Sequence, residues 1–353
     1  AMLDFDDLDD EIEKRLEAGE EVVGAVVENH QPRQGTLLPL AARDNRVAAH
    51  FKLPEASRRK LPPHNGQPEV QRAPVIRLLC VHGVADSYAQ EWQNFAESAP
   101  PNVDVLMHEF PGHGHREGEP MLNTLDAFAD DAFEAFREAM DTGAFALLGH
   151  SIGCLIITAI AKRARAELAV EPVVAFMVER GAPPYRILTE AGWDMIHTDR
   201  EQLMGIWNPL VVEMYKKAGD LGTRTMDMWT QGLQVENDGV REVGWHVFRC
   251  PLVVLYGDET VGPWLDLDKV EHEGHRDFLQ RKKVIHQNFQ FEKDGLTFTG
   301  HFPLFTYEEW DKWTEHSVFK LIECAKCDHM SIKASDRFKA AVWEALREQI
   351  TLF

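Results

Sequence analysis

Residues 146–153, ALLGHSIG, constrain the fold of this chain more than any other segment. They contain the pattern G-x-S-x-G, with Ser151 at its centre, directly after an apolar run and directly before a helix-favouring run. A serine nucleophile in this pattern stands on a strained strand-to-helix turn, where flanking glycines remove side-chain clashes. A glycine-rich turn with an incidental serine is the alternative. The strand before it and the helix after it favour a nucleophile.

Strand-like and helix-like patterns alternate along the chain from residue 73 onward. The pattern predicts strands at residues 75–81, 103–110, 144–148, 173–178, 252–256 and 319–323. It predicts helices at residues 125–140, with Asn123 as the cap, and at 152–162 and 335–350. Strands separated by helices indicate an α/β fold, with a mostly parallel sheet covered by helices on both faces.

Three regions lie outside this alternation. Residues 1–72 are predicted to form an acidic helical extension followed by a proline-rich linker, so the compact domain spans residues 73–353. Residues 184–249 are predicted to be helical and are rich in Met and Trp. They form either a helical insertion that packs on itself or an adaptable lid over an apolar substrate. Residues 262–306 are a charged, irregular insertion.

The base that activates Ser151 is predicted to be His329, because it lies after the last strand and before the last helix. With this serine motif in an α/β-hydrolase, the histidine comes last in chain order. The other candidate histidines precede or adjoin the serine; they are His82, His108, His113, His115 and His150. A solvated surface position is the alternative for His329.

Two backbone N–H groups are predicted to bind the oxyanion that forms when the serine attacks a carbonyl. The Ile152 N–H follows the nucleophile at the start of the helix, and the Val84 N–H lies in the loop after the first strand. The alternative for the second position is an ordinary strand-ending turn at His82-Gly83.

Residues 110–120, FPGHGHREGEP, resemble the P-G-R-G-x-R-x-x-E-P signature of type II thioesterases, with His113 where arginine is usual. Residues 180–183, RGAP, are similar to the R-x-A-P segment of that family, and Asp328-His329-Met330 stands where it has G-H-F. The resemblance covers about residues 75–260 and 307–350. It implies an α/β-hydrolase that releases acyl groups from carrier-bound thioesters.

The sequence departs from that family where the acid of the catalytic triad is expected. The usual loop is G-D-x-D-P, whereas this chain has Gly257-Asp258-Glu259-Thr260. Asp258 takes the role if the loop shifts slightly. Glu179, at the end of an earlier strand, is the other candidate, and it stands where type I thioesterase domains similarly carry their acid. Asp266 remains a third possibility.

Charge and cysteine content exclude several classes of function. The chain has 58 Asp and Glu against 37 Lys and Arg, a net charge of −21, which disfavours nucleic acid and anionic membrane surfaces as partners. It contains no apolar run long enough for a membrane span, and its N-terminus lacks a signal-peptide pattern, so we expect a cytoplasmic protein. Cys324 and Cys327 form half of a zinc-site pattern, so we expect no metal or other cofactor.

These observations predict a serine hydrolase that cleaves acyl thioesters, linked to an acyl carrier protein or coenzyme A, through an acyl-serine intermediate. The alternatives are a hydrolase of lipid-like or secondary-metabolite esters, and a non-catalytic binding module on a hydrolase scaffold. Acyl carrier proteins are typically acidic, so docking one on this chain requires a local basic patch, at residues 58–60 or 281–283. The sequence does not indicate an oligomeric state.

Overall fold

The computed structural model describes residues 36–37, 46–52, 75–84, 86, 90–185, 217, 219–242, 248–261, 290–293, 296–299 and 304–351. The strands are β1 (Thr36–Leu37), β2 (Val47–Lys52), β3 (Ile76–Val81), β4 (Val103–His108), β5 (Phe145–His150), β6 (Ala175–Val178), β7 (Leu252–Gly257), β8 (Gln290–Lys293), β9 (Leu296–Thr299) and β10 (Phe319–Cys324). The helices are α1 (Gln90–Glu97), α2 (Leu125–Asp141), α3 (Gly153–Arg163), α4 (Asp220–Glu242), α5 (Asp258–Val261), α6 (Leu304–Glu308) and α7 (Asp336–Ile350).

Eight strands form one sheet in the order β1-β2-β4-β3-β5-β6-β7-β10. The six strands from β4 to β10 in this order are parallel, whereas β2 pairs antiparallel with β4 and β1 antiparallel with β2. The predicted mostly parallel sheet is therefore confirmed. Because the six strands are parallel, their carboxyl ends meet at one edge, where ligand sites of open α/β sheets form.

Apolar residues on the two faces of the sheet form two separate cores. One core packs α2, α3 and α4 against alternate residues of the strands, with Phe133, Phe136 and Ile156 fully buried. The other packs α1 and α7 on the opposite face, with Trp92 and Val342 fully buried. Strands covered on both faces are expected to be apolar throughout, and β5 is buried at every position.

Helix α2 shows how local sequence determines the elements. Its apolar residues recur at helical spacing, and Leu125, Phe128 and Phe136 are buried on one side. The Thr124 hydroxyl accepts a hydrogen bond from the Ala127 N–H at 3.2 Å, so it caps the helix. The predicted cap at Asn123 was wrong by one residue.

The boundary at residue 73 was placed too late. Strands β1 and β2 lie within residues 1–72, and β2 pairs with β4 along one edge of the main sheet. The compact unit that contains the sheet spans Gly35–Phe353. The proline-rich segment at 53–74 and the predicted acidic helix at the N-terminus lie outside the described residues.

The two insertions are partly described. Helix α4 lies within the predicted helical region 184–249, and residues 186–216 fall outside the described part. In the 262–306 insertion, β8 and β9 form an antiparallel two-stranded sheet, so the expectation of an irregular segment was wrong there. Among the described residues, none of the helices combines the length and the apolarity that crossing a bilayer requires.

Candidate active site

Ser151 lies at the carboxyl end of β5, on a backbone with φ of +57°. This left-handed conformation is unfavourable for a residue with a Cβ, and such strain is typical of functional turns. The Ser151 N–H donates a hydrogen bond of 2.9 Å to the Val178 carbonyl on neighbouring β6, which fixes the turn. The side chain is 6% exposed. The predicted serine therefore stands where a strained strand-to-helix turn presents it.

The glycines on either side of Ser151 are required by close backbone contacts. A Cβ built on Gly149 would lie 2.4 Å from the carbonyl carbon of Gly153, and one on Gly153 would lie 2.3 Å from the Val81 carbonyl oxygen. Real Cβ atoms do not approach backbone this closely. The G-x-S-x-G pattern is thus explained by packing of the turn between β5, α3 and β3.

His329 lies in the loop after β10, and His150 holds that loop beside the serine turn. The His150 Nε2–H donates a hydrogen bond of 2.8 Å to the His329 carbonyl, and the two rings lie 5.0 Å apart. Burial, together with the neighbouring His329 and Lys333, holds the pKa of His150 well below its usual range. His150 is therefore neutral, carries its proton on Nε2 and positions the loop. The sequence had suggested His150 only as a rival to His329 for the role of base.

A second contact between the loops was missed by sequence reasoning. Lys333 follows the His329 loop, and its Nζ lies 2.7 Å from Asp86 Oδ2 in the loop after β3. The Trp92 Nε1–H donates to the same carboxylate oxygen at 3.0 Å. Both charged side chains are buried, Lys333 at 3% and Asp86 at 7% exposure. Lysine and aspartate at this sequence separation carry no local pattern, so only the folded chain reveals the pair.

Of the two carboxylates proposed as the acid, Glu179 is the one that approaches the His329 ring. Glu179 follows β6 directly, is fully buried and has φ of +57°. Its Oε2 lies 3.6 Å from His329 Nδ1. Its Oε1 accepts a hydrogen bond from the Gly257 N–H, and the Tyr307 hydroxyl donates to Oε2 at 3.4 Å. Sequence reasoning missed Tyr307, which has no motif around it.

Asp258, the other candidate, contacts the backbone of the histidine loop. Its Oδ1 accepts a hydrogen bond from the Cys327 N–H at 3.2 Å, two residues before His329. Asp328 then folds the loop, because its Oδ1 accepts from the backbone N–H groups of Met330 and Ser331 at 3.0 and 2.8 Å. The third possibility, Asp266, lies outside the described residues.

The loop after β3 lies directly against the serine turn, as the predicted oxyanion site requires. A Cβ built on Gly83 would lie 3.1 Å from the Cβ of Ser151. Within the described part of the chain, neither the Ile152 N–H nor the Val84 N–H has a hydrogen-bond partner. Two such donors beside a nucleophile are available to an oxyanion.

A cleft of about 270 Å³, counting its solvent-open part, lies next to these two residues. Its wall is almost entirely apolar and includes residues of α4. The lining residues are Val84, Phe110, His113, Met121, Leu122, Phe128, Ile152, Met228, Gln231 and Gly232. Helix α4 contributes Met228, Gln231 and Gly232 to this wall, and the interpretation of the 184–249 region as a lid stays a prediction.

Arg116 explains the signature-like segment at 110–120. The guanidinium is buried and donates to the Glu109 carbonyl at 2.8 Å and to Asp131 Oδ2 at 2.6 Å. It also contacts both carboxylate oxygens of Glu119, at 3.0 and 2.7 Å. Burial opposes the charge of Arg116, but the hydrogen bonds that it donates to the Glu119 and Asp131 carboxylates raise its pKa. These contacts hold the segment in one conformation, in which His113 is part of the wall of the cleft.

The other three histidines considered as bases form structural pairs. His82 Nε2 lies 3.1 Å from Glu109 Oε1, and its Nδ1–H donates to the Gly83 carbonyl at 2.7 Å. His108 Nε2 lies 2.8 Å from Asp131 Oδ2, and His115 Nδ1 lies 3.5 Å from Glu109 Oε2. Although burial opposes it, the hydrogen bond and charge of Glu109 raise the pKa of His82. These pairs stiffen the wall of the site.

A buried ion pair links α4 to the residue after Glu179. Arg180 Nε lies 3.1 Å from Glu236 Oε1, and the two side chains are 0% and 1% exposed. Burial lowers the pKa of Arg180 and raises that of Glu236, since each charge is held away from water. The arginine of the R-x-A-P segment therefore anchors α4, which contributes three residues to the wall of the cleft.

We expect Glu236→Ala to lower the free energy of unfolding by about 3 kcal/mol, because it leaves a buried guanidinium without its opposite charge. Urea denaturation measures this loss. Glu117→Ala is the control, because Glu117 pairs with Arg224 at 3.7 Å on the surface, where both are more than half exposed, and should have little effect. A loss no larger than that of the control would contradict the anchoring role of Glu236.

All five cysteines are free and buried, and among the described residues none of the His, Cys, Asp and Glu groupings has the geometry of a metal site. Burial raises the pKa of the Cys154 thiol above its ordinary value. Cys154 and the other described thiols therefore behave as apolar core residues.

Comparisons with known proteins agree with this site. Residues 76–213 match the family model described as thioesterase domain. The gramicidin S biosynthesis protein GrsT of Aneurinibacillus migulanus is 32% identical over 116 residues, which cover 32% of this chain and 44% of that protein. The thioesterase PikA5 of Streptomyces venezuelae is 28% identical over 108 residues, which cover 31% of this chain and 38% of PikA5. The chain thus spans less than half the length of these curated relatives.

The crystal structure of ClbQ from the colibactin NRPS/PKS pathway shares the fold. It superposes with a TM-score of 0.55 at 16% identity, covering 79% of this chain and all of ClbQ. The α/β-hydrolase fold predicted from the sequence is therefore confirmed, and so is the resemblance to thioesterases.

Proposed function

We propose that this chain, an α/β-hydrolase whose residues 76–213 match the thioesterase domain family, cleaves acyl thioesters through an acyl-serine intermediate. The observation that supports this most directly is the approach of His329 Nδ1 to Glu179 Oε2, at 3.6 Å, on loops that meet beside Ser151. Catalytic hydrogen bonds are often long before substrate binds and tighten in the complex.

In the first half of the reaction, Ser151 Oγ attacks the thioester carbonyl while His329 Nε2 accepts the hydroxyl proton. The carbonyl oxygen becomes an oxyanion that accepts hydrogen bonds from the Ile152 and Val84 N–H groups. The C–S bond then breaks, and the sulfur leaves as a thiol with the proton held by His329. The acyl group remains as an ester on Ser151.

In the second half, water replaces the thiol. His329 removes a proton from the water, the hydroxide adds to the acyl-serine carbonyl, and the same two N–H groups bind the new oxyanion. Collapse breaks the bond to Ser151 Oγ, which recovers its proton from His329. The products are a carboxylic acid and the free enzyme.

We assign Glu179 as the acid of the triad and Asp258 as a positioning residue. Glu179 Oε2 lies 3.6 Å from His329 Nδ1, and we expect it to accept a hydrogen bond from that nitrogen when substrate is bound, which fixes the imidazole tautomer and stabilises the imidazolium. The Gly257 N–H and Tyr307 hydroxyl hold the carboxylate in turn. Asp258 acts one step away, through its hydrogen bond to the Cys327 N–H in the loop that carries His329.

The carrier that we propose is an acyl carrier protein or coenzyme A. GrsT is named for gramicidin S biosynthesis and ClbQ for the colibactin NRPS/PKS pathway, so a carrier-bound acyl group of secondary metabolism is the favoured substrate. The two basic segments suggested for docking, 58–60 and 281–283, lie outside the described residues. The free thiols agree with a reducing compartment, for which we propose the cytoplasm.

Matched substrates test the thioester assignment. We expect a higher kcat/KM for N-acetylcysteamine thioesters than for oxygen esters of the same acyl groups, measured on the purified protein. A fluorophosphonate probe should label Ser151 in the same preparation. A higher kcat/KM for the oxygen esters would make the chain an ester hydrolase, and absence of both turnover and labelling would make it a binding module.

A further inference from the structure

His113 is a buried imidazole in the wall of the apolar cleft. It is 4% exposed and lines the cleft together with Val84, in the loop after β3, and Ile152, which follows Ser151. The rings of Phe110 and His82 pack around it at 5.6 and 5.9 Å. It contributes to none of the reaction steps described above.

The hydrogen bond of its inner nitrogen determines which nitrogen carries the proton. His113 Nδ1 lies 3.0 Å from the Pro111 carbonyl oxygen, which can only accept, so Nδ1 is the donor. Burial and the nearby positive charge of His82 lower the pKa of His113 to about 4. The ring is therefore neutral near pH 7, and Nε2, at the tip of the side chain, carries a lone pair.

This lone pair has no hydrogen-bond partner within the part of the chain that the structure describes, although the nitrogen is buried. A buried acceptor without a donor is costly, and native structures rarely retain one without a reason. The other polar side chain of the cleft, Gln231, makes no hydrogen bond to His113 Nε2, and one N–H of its amide donates to the Leu122 carbonyl at 2.7 Å. His113 Nε2 is thus a buried acceptor without a donor among the described residues, on a side chain that lines the cleft.

We propose that His113 Nε2 accepts a hydrogen bond from a hydroxyl group on the acyl chain, so that the cleft selects hydroxyacyl thioesters over unsubstituted ones. The inference rests on the proposed function, because the cleft is taken to hold the acyl group. Apart from His113 and Gln231, the side chains that line the cleft are apolar, which suits the carbon atoms of an acyl chain. A site built to accept from a hydroxyl discriminates strongly against the analogue that lacks it.

The test compares butyryl, 2-hydroxybutyryl and 3-hydroxybutyryl thioesters of N-acetylcysteamine. In the wild type, we expect kcat/KM for one hydroxyacyl thioester to exceed that for butyryl by about 10-fold, the effect of one buried hydrogen bond. His113→Phe should reduce this ratio to about one or below, because the hydroxyl then meets an apolar wall. His113→Gln should restore part of it, since its carboxamide oxygen reaches about the position of Nε2.

Met228→Leu is the matched control, because it alters the cleft without removing a polar atom and should leave the ratio unchanged. Equal kcat/KM values for butyryl and both hydroxybutyryl thioesters in the wild type overturn the inference, whether or not His113→Phe folds. So does an unchanged ratio in a folded His113→Phe protein. In both cases, turnover itself leaves the proposed function intact.

Binding separates the inference from the proposed function. Calorimetry on Ser151→Ala measures the affinity for the same three thioesters without turnover. A tighter Kd for a hydroxyacyl thioester that is lost in Ser151→Ala/His113→Phe supports the inference, even if the wild type hydrolyses none of them. Equal Kd values for all three thioesters overturn it.

Discussion

Ser151→Ala is expected to reduce thioester hydrolysis by about 10⁴-fold or more, because it removes the hydroxyl oxygen that we propose as the nucleophile. Alanine keeps the Cβ of serine, so it places the same demand on the backbone at φ of +57° and leaves the turn folded. The Ser151 N–H also keeps its hydrogen bond to the Val178 carbonyl. The loss is therefore one of chemistry, and the unfolding midpoint should change little.

The measurement is single-turnover and steady-state hydrolysis of an acyl N-acetylcysteamine thioester by both proteins. Ser317→Ala is the control, since Ser317 is exposed and lies before β10, at the opposite end of the strands from Ser151. It should retain full activity. Hydrolysis by Ser151→Ala within 10-fold of the wild type would mean that Ser151 is not the nucleophile.

Features that depend on local sequence were predictable. The turn around Ser151 is defined by two glycines within five residues, and both are required by contacts of less than 2.5 Å that any side chain would create. The parallel strands were predicted because strands buried on both faces are continuous apolar runs. The position of His329 beside the serine turn was predictable from chain order, since the last loop of such a sheet lies at the same edge, and its role as the base stays a prediction.

Features that depend on pairing across the fold were not predictable. Strand β2 joins the sheet through backbone hydrogen bonds at its edge, and such strands lack the long apolar run of a central strand. The sequence pattern did not predict helix α1, because the helix is only eight residues long and its apolar residues, such as Trp92 and Phe95, lie on one buried face. The Lys333–Asp86 pair joins residues far apart in the chain.

The choice between the two carboxylates shows the same limit. Asp258 and Glu179 each follow a parallel strand, β7 and β6, which are neighbours in the sheet. Sequence alone therefore places both at the same edge, within reach of the histidine loop. Which one meets the ring depends on the φ of +57° at Glu179 and on the Tyr307 hydroxyl, which comes from α6 at the end of the insertion.

Glu179→Gln is expected to reduce kcat by about 10⁴-fold, as loss of the triad acid does when geometry is otherwise kept. The carboxylate of Glu179 lies within reach of three donors: the Gly257 N–H, the Tyr307 hydroxyl and the His329 Nδ1–H. A carboxamide has one accepting oxygen, and its NH₂ group faces at least one of these donors. His329 is then driven to the wrong tautomer, with its proton on the nitrogen that must accept from Ser151.

Asp258→Asn is the matched comparison, because its carbonyl oxygen can still accept from the Cys327 N–H and keep the loop in place. We expect a loss of kcat of no more than about 10-fold, since the residue acts only through the loop backbone. Hydrolysis of one acyl thioester by the two variants, with unfolding midpoints as a check on folding, measures the difference. If Asp258→Asn loses more activity than Glu179→Gln, Asp258 is the acid of the triad and Glu179 is the positioning residue. The acid then lies directly after β7, in the loop where type II thioesterases carry theirs in the sequence G-D-x-D-P. If Glu179→Gln dominates, this chain instead resembles the type I thioesterase domains in its acid, although its cleft wall carries the type II signature.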